Sequence, residues 1–192
     1  ATTTQTINVT NVNEAPWFED GRATRSIAED TSDNTDIAKV HAEDPEGDTI
    51  TYSITAGNTN SKFTINSSTG LIETNGSLDY ETTSQYTLTI TATDDGGLTT
   101  NTTQVINLTN VNEAPTLASM NNVSLAENVS SGTSVATASG SDVDASTTLT
   151  YSISSGNSAG KFAINSSTGA ITTAATLDYE TTTSYTLTVQ VS

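Results

Sequence analysis

The stretch YSITAGNTNSKFTINSSTGLIETNGSLDYETTSQYTLTI, residues 52–90, returns as YSISSGNSAGKFAINSSTGAITTAATLDYETTTSYTLTV at residues 151–189. Tyr52 and Tyr151, Phe63 and Phe162, and Asp79 and Asp178 are each 99 positions apart. Upstream the offset is 98, as for Glu29 and Glu127 or Asp44 and Asp142, so one residue is inserted between Asp144 and Tyr151. A period of about a hundred residues is the size of a small sandwich domain.

Inside each unit the period is two. ITYSI, KFTI, LIET, YTLTITAT and TQVINL alternate apolar residues with Thr, Ser or other polar ones, the pattern of a half-buried strand. NSST-Gly70, NSST-Gly169 and Asp94-Asp95-Gly96-Gly97 read as hairpin turns. Helical periodicity is absent. Seven short strands per unit, separated by turns, argue for an all-β fold of antiparallel β-sandwiches with one face of each sheet buried. The first core is expected from Ile37, Val40, Ile50, Tyr52, Ile54, Phe63, Ile65, Ile72, Leu78, Tyr86, Leu88 and Ile90.

Composition narrows the function. With 33% hydrophobic and 5% aromatic residues, two small cores fit better than one large one. Without cysteine there is no disulfide and no thiolate ligand or nucleophile. Five Lys+Arg against 22 Asp+Glu give a formal net charge of −17, which makes nucleic acid and anionic membrane poor partners. No apolar run reaches membrane-spanning length and no signal peptide opens the chain, which reads as a fragment of something longer.

Twelve of the 22 acidic residues fall in four recurring clusters: Glu29/Glu127, Asp44-Glu46/Asp142-Asp144, Asp79-Glu81/Asp178-Glu180, and Glu14/Glu113. The last pair lies in NVNEAP, residues 11–16 and again 110–115. That segment is either a hinge or a ligand-bearing linker; Pro16 and Pro115 exclude a helix there. Strand counting places LDYE and the following NVNEAP at one end of a unit, and the Asp-x-Glu or Asp-x-Asp loop at the other. Consecutive units then bring Asp79, Glu81 and the linker toward Asp142 and Asp144. Such a concentration of carboxylates needs a cation, and an all-oxygen donor set suits Ca²⁺ better than Mg²⁺. On this reading NVNEAP carries ligands.

These residues resemble the cadherin repeat. The matching motifs are Glu29, then Asp44-Glu46 before Tyr52, LDYE at 78–81, Ala92-Thr93-Asp94, and Asn110-Val111-Asn112-Glu113-Ala114-Pro115. The resemblance covers nearly the whole chain and implies tandem seven-strand Greek-key β-sandwiches of immunoglobulin-like architecture joined end to end, with Ca²⁺ bound between successive repeats and making the array rigid. It implies a middle junction of Glu29, Asp79, Glu81, Asn110, Asn112, Glu113, Asp142 and Asp144, with Asn112 acting through its carbonyl. Asn110 and Glu113 stand where the family has Asp, and the linker is one residue short, which implies lower affinity or fewer ions. The Thr/Ser/Asn-rich strands and scarce Lys look like cadherin-like repeats of large bacterial surface adhesins.

Residues 1–16 match 100–115, and Ser192 aligns with Thr93 (192 − 99 = 93). The expected division is therefore 1–13, last strand and linker of a preceding repeat; 14–113, first repeat; and 114–192, second repeat lacking its final strand. Head-to-tail strand addition by residues 1–9 of another copy would complete that repeat. It would also bring Asn11, Asn13, Glu14, Asp44 and Glu46 to Glu127, Asp178 and Glu180 as an interchain site. The alternative is a fragment boundary with the first residues lying loose.

Catalysis is not expected. His41 reads as a structural or surface residue, and paired carboxylates repeated at every joint favour metal over glycoside hydrolysis. Trp17 reads as a packing residue near the junction, and Tyr80 and Tyr179 as shields of the metal site. Sequons such as Asn66-Ser67-Ser68 and Asn107-Leu108-Thr109 arise by chance in such a composition. The chain thus reads as calcium-rigidified extender repeats of a large extracellular or cell-surface adhesin. The alternative is that the repeats themselves bind polysaccharide, a cell surface or one another.

Overall fold

Residues 85–109 alternate small apolar side chains with threonine on both sides of a glycine turn, and this pattern builds the central hairpin of the first unit. A computed structural model describes residues 1–19, 24–145 and 147–192. The chain divides into two units, Ala1–Val111 and Asn112–Ser192. The interval that holds the inserted residue includes Ser146, which lies outside the described residues.

Unit 1 contains β1 (Trp17–Phe18), β2 (Arg25–Ala28), β3 (Asp36–Lys39), β4 (Ala42–Glu43), β5 (Thr51–Ala56), β6 (Phe63–Ile65), β7 (Leu71–Thr74), β8 (Gln85–Thr93) and β9 (Thr99–Thr109). One sheet runs β2-β9-β8-β5, the other β3-β7-β6, and β1 pairs with β4. Nine segments stand where seven strands were expected because two strands are split. The first strand gives β1, antiparallel to β4, and β2, parallel to β9. The second gives β3 and β4. Counted this way the unit is a seven-strand sandwich.

The core lies between the sheets. Phe63, Ile72, Leu88, Ile90 and Ile106 are at most 2% exposed, and Phe63 meets Tyr86 edge to face at 5.1 Å. All twelve expected core residues fall in or against this cluster. The core also takes Ala38, Ala42, Ala92, Ile106 and Leu108, while Phe18, Ile27 and Tyr80 pack against its margin. Trp17 is a correction: it is 45% exposed, and its neighbour Phe18 packs instead, 6.4 Å from the Tyr52 ring. The phenolic oxygen of Tyr52 accepts the N–H of Ala42 at 2.9 Å. This spares a buried hydroxyl an unsatisfied polar contact.

Two turns follow from their residues. Asn66 Oδ1 accepts the N–H groups of Ser68 and Thr69, and Gly70 closes the β6–β7 hairpin at φ +71°. Gly57 (φ +79°) follows a register shift in β5. A Cβ there would stand 1.8 Å from the Thr87 carbonyl oxygen, so the position admits only glycine.

Unit 2 contains β10 (Thr116–Leu117), β11 (Ser134–Thr137), β12 (Gly140–Ser141), β13 (Tyr151–Ser155), β14 (Phe162–Ile164), β15 (Ala170–Thr173) and β16 (Thr188–Val191). They pair as β10-β12, β11-β15-β14 and β13-β16, the arrangement of their counterparts in unit 1. Phe162 meets Tyr185 at 5.2 Å, and Gly140 N–H donates to Tyr151 at 3.0 Å. Among the described residues, unit 2 has no counterpart of β2 or β9. Residues 1–16 form no strand, and residues 1–10 are exposed.

Candidate metal centre

In unit 1 the chain leaves β2 at Ala28 and enters Glu29, whose N–H donates to the Thr109 carbonyl at the end of β9 at 3.2 Å. The parallel β2–β9 pairing thus buries this carboxylate, 6% exposed, beside the following linker. Its two oxygens hold two other segments: Oε2 accepts the N–H of Tyr80 at 2.6 Å, and Oε1 accepts the N–H of Val111 at 2.8 Å. LDYE and the start of the linker therefore meet at Glu29. Glu29, Asp79 and Glu81 each offer a carboxylate oxygen, all within 4.8 Å of one another. Asp79 is held by the backbone N–H of Thr82 at 2.7 Å and its hydroxyl at 2.8 Å. These bonds hold its carboxyl below the ordinary 3.8.

The other end of unit 1 gathers Asp44, Glu46 and the first NVNEAP. Glu14 N–H donates to Glu46 Oε2 at 3.1 Å, and Asn13 Nδ2 donates to Asp94 Oδ2 at 3.0 Å. Asp94, at the tip of the β8–β9 hairpin, is 5% exposed. Partial burial of Asp48, with Asp44, Asp95, Asp94 and Glu46 around it, raises its carboxyl above 3.8. Asp48 and Asp94 were absent from the expected ligands. The Ala92-Thr93-Asp94 motif signalled Asp94, whereas Asp48 carries no spacing of its own.

Unit 2 repeats both ends with its own residues. Glu113 N–H donates to Asp144 Oδ2 at 2.8 Å, as Glu14 does to Glu46, and Asp144 N–H donates to Asp142 Oδ1 at 2.9 Å. Asn112 Nδ2 donates to the Glu113 carbonyl at 2.8 Å. At the far end Glu127, Asp178 and Glu180 offer oxygens within 4.8 Å of one another, and Glu127 Oε2 accepts the N–H of Tyr179 at 2.7 Å. Thr181 hydroxyl and backbone bonds lower Asp178 as Thr82 lowers Asp79. Glu127 is exposed where Glu29 is buried, because no β9 counterpart covers it. Tyr179 is 62% exposed, whereas Tyr80 packs on its core; a common shielding role for the two rings is not what the structure shows. Asn11 lies exposed in its linker, and Asn110 falls between β9 and Val111.

The donor set fits a hard cation. Asp44 Oδ2 and Asp142 Oδ2 are buried without a hydrogen-bond partner, an arrangement that is costly unless a cation satisfies the oxygen. The surrounding donors are carboxylate and amide oxygens, the set that Ca²⁺ takes. A third acidic group, Glu19 and Glu43 about His41, is exposed. It is accounted for by the contact of His41 with Glu19 at 3.8 Å.

A cadherin domain model matches residues 23–109 and 121–192. The chain is 39% identical over 98% of its length to the protocadherin-like wing polarity protein stan of Drosophila melanogaster, of which it spans 6%. It is 39% identical over 85% of its length to protocadherin Fat 4 of Mus musculus, of which it spans 4%. Among solved structures, Drosophila N-cadherin EC1-4 matches 93% of this chain and 45% of its own at a TM-score of 0.65 and 26% identity. These animal relatives lend no support to the expected bacterial-type surface adhesin. No helix among the described residues is long and apolar enough to cross a membrane. The chain belongs to the cadherin domain family, and it is an extracellular, cell-surface chain of Ig-like β-sandwiches and not an enzyme.

Proposed function

We propose that this chain is a calcium-rigidified extender in which ions held at the ends of the units couple consecutive sandwiches. It would thereby project the adhesive part of a larger cell-surface protein. The supporting observation is the pair of orphaned oxygens, Asp44 Oδ2 and Asp142 Oδ2, at equivalent places in the two units. Val111 N–H is held by Glu29, and Glu113 N–H by Asp144. The residues that would hold an ion at the linker between consecutive units are Glu29, Asp79, Glu81, Asn110, Asn112, Glu113, Asp142 and Asp144. Asn11, Asn13, Glu14, Asp44 and Glu46 form the half-site that would face a preceding unit; Glu127, Asp178 and Glu180 form the one that would face a following unit.

Bound Ca²⁺ supplies positive charge that neutralises carboxylates and completes their coordination. The protein's part is to pre-organise them: Thr82 and Thr181 fix Asp79 and Asp178, and backbone N–H groups fix Glu29, Glu46, Asp144 and Glu127. Ion binding to the folded array alone stabilises it by about 2.7 kcal/mol at a hundredfold excess over Kd. Calorimetric titration with Ca²⁺ tests this, with D142N as the variant that removes one orphaned oxygen. Binding that D142N leaves unchanged contradicts the assignment.

Adhesion between identical repeats is the second reading, favoured by membership of the cadherin family. Self-association in Ca²⁺ at the level of whole cells or coated beads separates it from pure extension. Binding of polysaccharide or a cell surface has behind it only the exposed rings of Trp17 and Tyr179.

A further inference from the structure

The turn that follows β7 in unit 1 and β15 in unit 2 rests on the same backbone bonds in both. Asn75 N–H donates to the Lys62 carbonyl at 2.8 Å, and Ala174 N–H donates to the Lys161 carbonyl at 2.8 Å. Lys62 Nζ reaches the Ser77 carbonyl as Lys161 Nζ reaches that of Thr176. The other side chains differ. Unit 2 spells the turn Ala174-Ala175 and faces it with Ser131, whose hydroxyl donates to the Ala174 carbonyl at 3.1 Å. Unit 1 spells it Asn75-Gly76, the one Asn-Gly dipeptide of the chain, and faces it with Asp33. The turn therefore forms without these three residues, and their chemistry is particular to unit 1.

Asn-Gly is open to attack by the backbone on the asparagine side chain, because glycine has no Cβ to hinder its own nitrogen. A bond forms between Gly76 N and Asn75 Cγ and the Cγ–Nδ2 bond breaks. Nδ2 then leaves as ammonia with the proton that Gly76 N gives up. Water opens the resulting cyclic imide at either carbonyl and leaves an aspartyl or isoaspartyl residue at position 75. Asn75 is exposed, and a Cβ built on Gly76 would meet nothing within 4 Å, so the reaction has room.

In the folded unit both reacting groups are engaged elsewhere. Gly76 N–H donates to Asp33 Oδ1 at 2.6 Å, and Asn75 Nδ2 donates to the Ser61 carbonyl at 2.7 Å. Attack requires Gly76 N to shed its proton. A carboxylate that accepts the hydrogen bond of that proton favours keeping it, and its charge opposes the charge developing on the nitrogen. Asp33 is placed by its own turn, in which the next residue, Asn34, donates its N–H to the Thr74 carbonyl at 3.0 Å. We propose that Asn75 is a self-modification site, deamidated through Gly76 when the turn opens, and that Asp33 is the latch that keeps it intact in the folded chain. The product exchanges the amide donor to Ser61 for a carboxylate that faces the same carbonyl, so the modified turn loses its tie to residues 59–61.

Incubation of the 192-residue chain in native buffer and in urea, followed by peptide mapping with mass spectrometry, tests this. The readout is conversion of Asn75 relative to Asn66 and Asn165 in the same digest. Asp33 is exposed, so replacing it leaves the core untouched. In native buffer D33A should convert Asn75 about tenfold faster than the parent, the effect of losing one hydrogen bond to a charged group. Asn66 and Asn165 should be unchanged. D33N, which retains an acceptor without the charge, should fall between parent and D33A. In urea parent and D33A should convert Asn75 at one common rate, because Asp33 is 43 positions from Gly76 and meets it only through the fold. A native rate in D33A equal to or below that of the parent overturns the proposal, as does a difference that persists in urea. Acceleration that Asn66 shares equally also overturns it, because the variant then acts by unfolding the unit.

Discussion

Glu29 accepts the N–H of Val111 at 2.8 Å through one oxygen and the N–H of Tyr80 at 2.6 Å through the other. A single buried carboxylate thus ties the end of β9 to the LDYE segment and still belongs to a three-carboxylate group. Structure and ion binding are joined at this residue. Replacing it should affect both.

Glu29→Ala leaves two backbone donors without their acceptor at a site that is 6% exposed. Each unsatisfied donor costs about 1–3 kcal/mol. The expected loss, by urea unfolding in chelator, is about 2–6 kcal/mol. Glu127→Ala should cost less, because Glu127 is exposed. Equal losses at the two positions would show that burial is not the deciding difference.

Asp142→Asn keeps the shape of the side chain and removes the charge of an orphaned oxygen. In chelator the variant should match or slightly exceed the parent in stability, since repulsion is relieved. In Ca²⁺ it should bind roughly ten- to a hundredfold more weakly, the range seen for lost metal-site partners. Thermal melts with and without the ion give both readings. A variant destabilised equally in both conditions would mark Asp142 as structural only.

The carboxyl shifts set a pH dependence with two opposing parts. Asp79 and Asp178 are lowered by Thr82 and Thr181. Their stabilisation is present above the ordinary 3.8 and is lost as pH falls through their lower folded values. Asp48 is raised, first by partial burial and then by its carboxylate neighbours. Acidification through its folded value, above 3.8, therefore relieves a destabilisation. In chelator, stability should rise slightly on moderate acidification and then fall. D48N should abolish the rise and leave the fall; a profile unchanged by D48N would place the repulsion elsewhere.

Gly57→Ala and Gly156→Ala each put a Cβ 1.8 Å from a facing carbonyl oxygen, of Thr87 and of Thr186, at φ of +79° and +85°. The left-handed backbone alone costs about 1–2 kcal/mol for alanine, and the clash adds to it. Both variants should lose at least about 2 kcal/mol by chemical unfolding. Losses within experimental error would mean that the strand can shift to admit the methyl group.

Much of this was legible because the repeat prints the same evidence twice. Alternation marked the inward face, and the twelve core positions expected between Ile37 and Ile90 lie in or against the unit 1 cluster. What it underweighted is small or late in the unit. Ala38, Ala42 and Ala92 carry little hydrophobic signal, and Ile106 and Leu108 sit among threonines and asparagines. The splitting of the first strand was not read, although the turn dipeptide Asp20-Gly21 stands in the sequence between β1 and β2. Trp17 misled because size suggests burial, whereas the pleat turns Phe18 inward. At the acidic ends the family resemblance grouped Glu29 with Asp79 and Glu81, and their carboxylate oxygens lie within 4.8 Å of one another. Asp48 was hidden because its relation to Asp94 and Asp95 comes only from folding.

Ca²⁺ titration of the chain, followed by thermal unfolding and small-angle scattering on the same samples with Mg²⁺ and chelator as controls, tests the central claim most directly. The account predicts that Ca²⁺ raises Tm and lengthens the particle toward two end-to-end sandwiches, and that Mg²⁺ does so much less. No change in either quantity up to several millimolar Ca²⁺ would contradict it and leave NVNEAP a plain hinge.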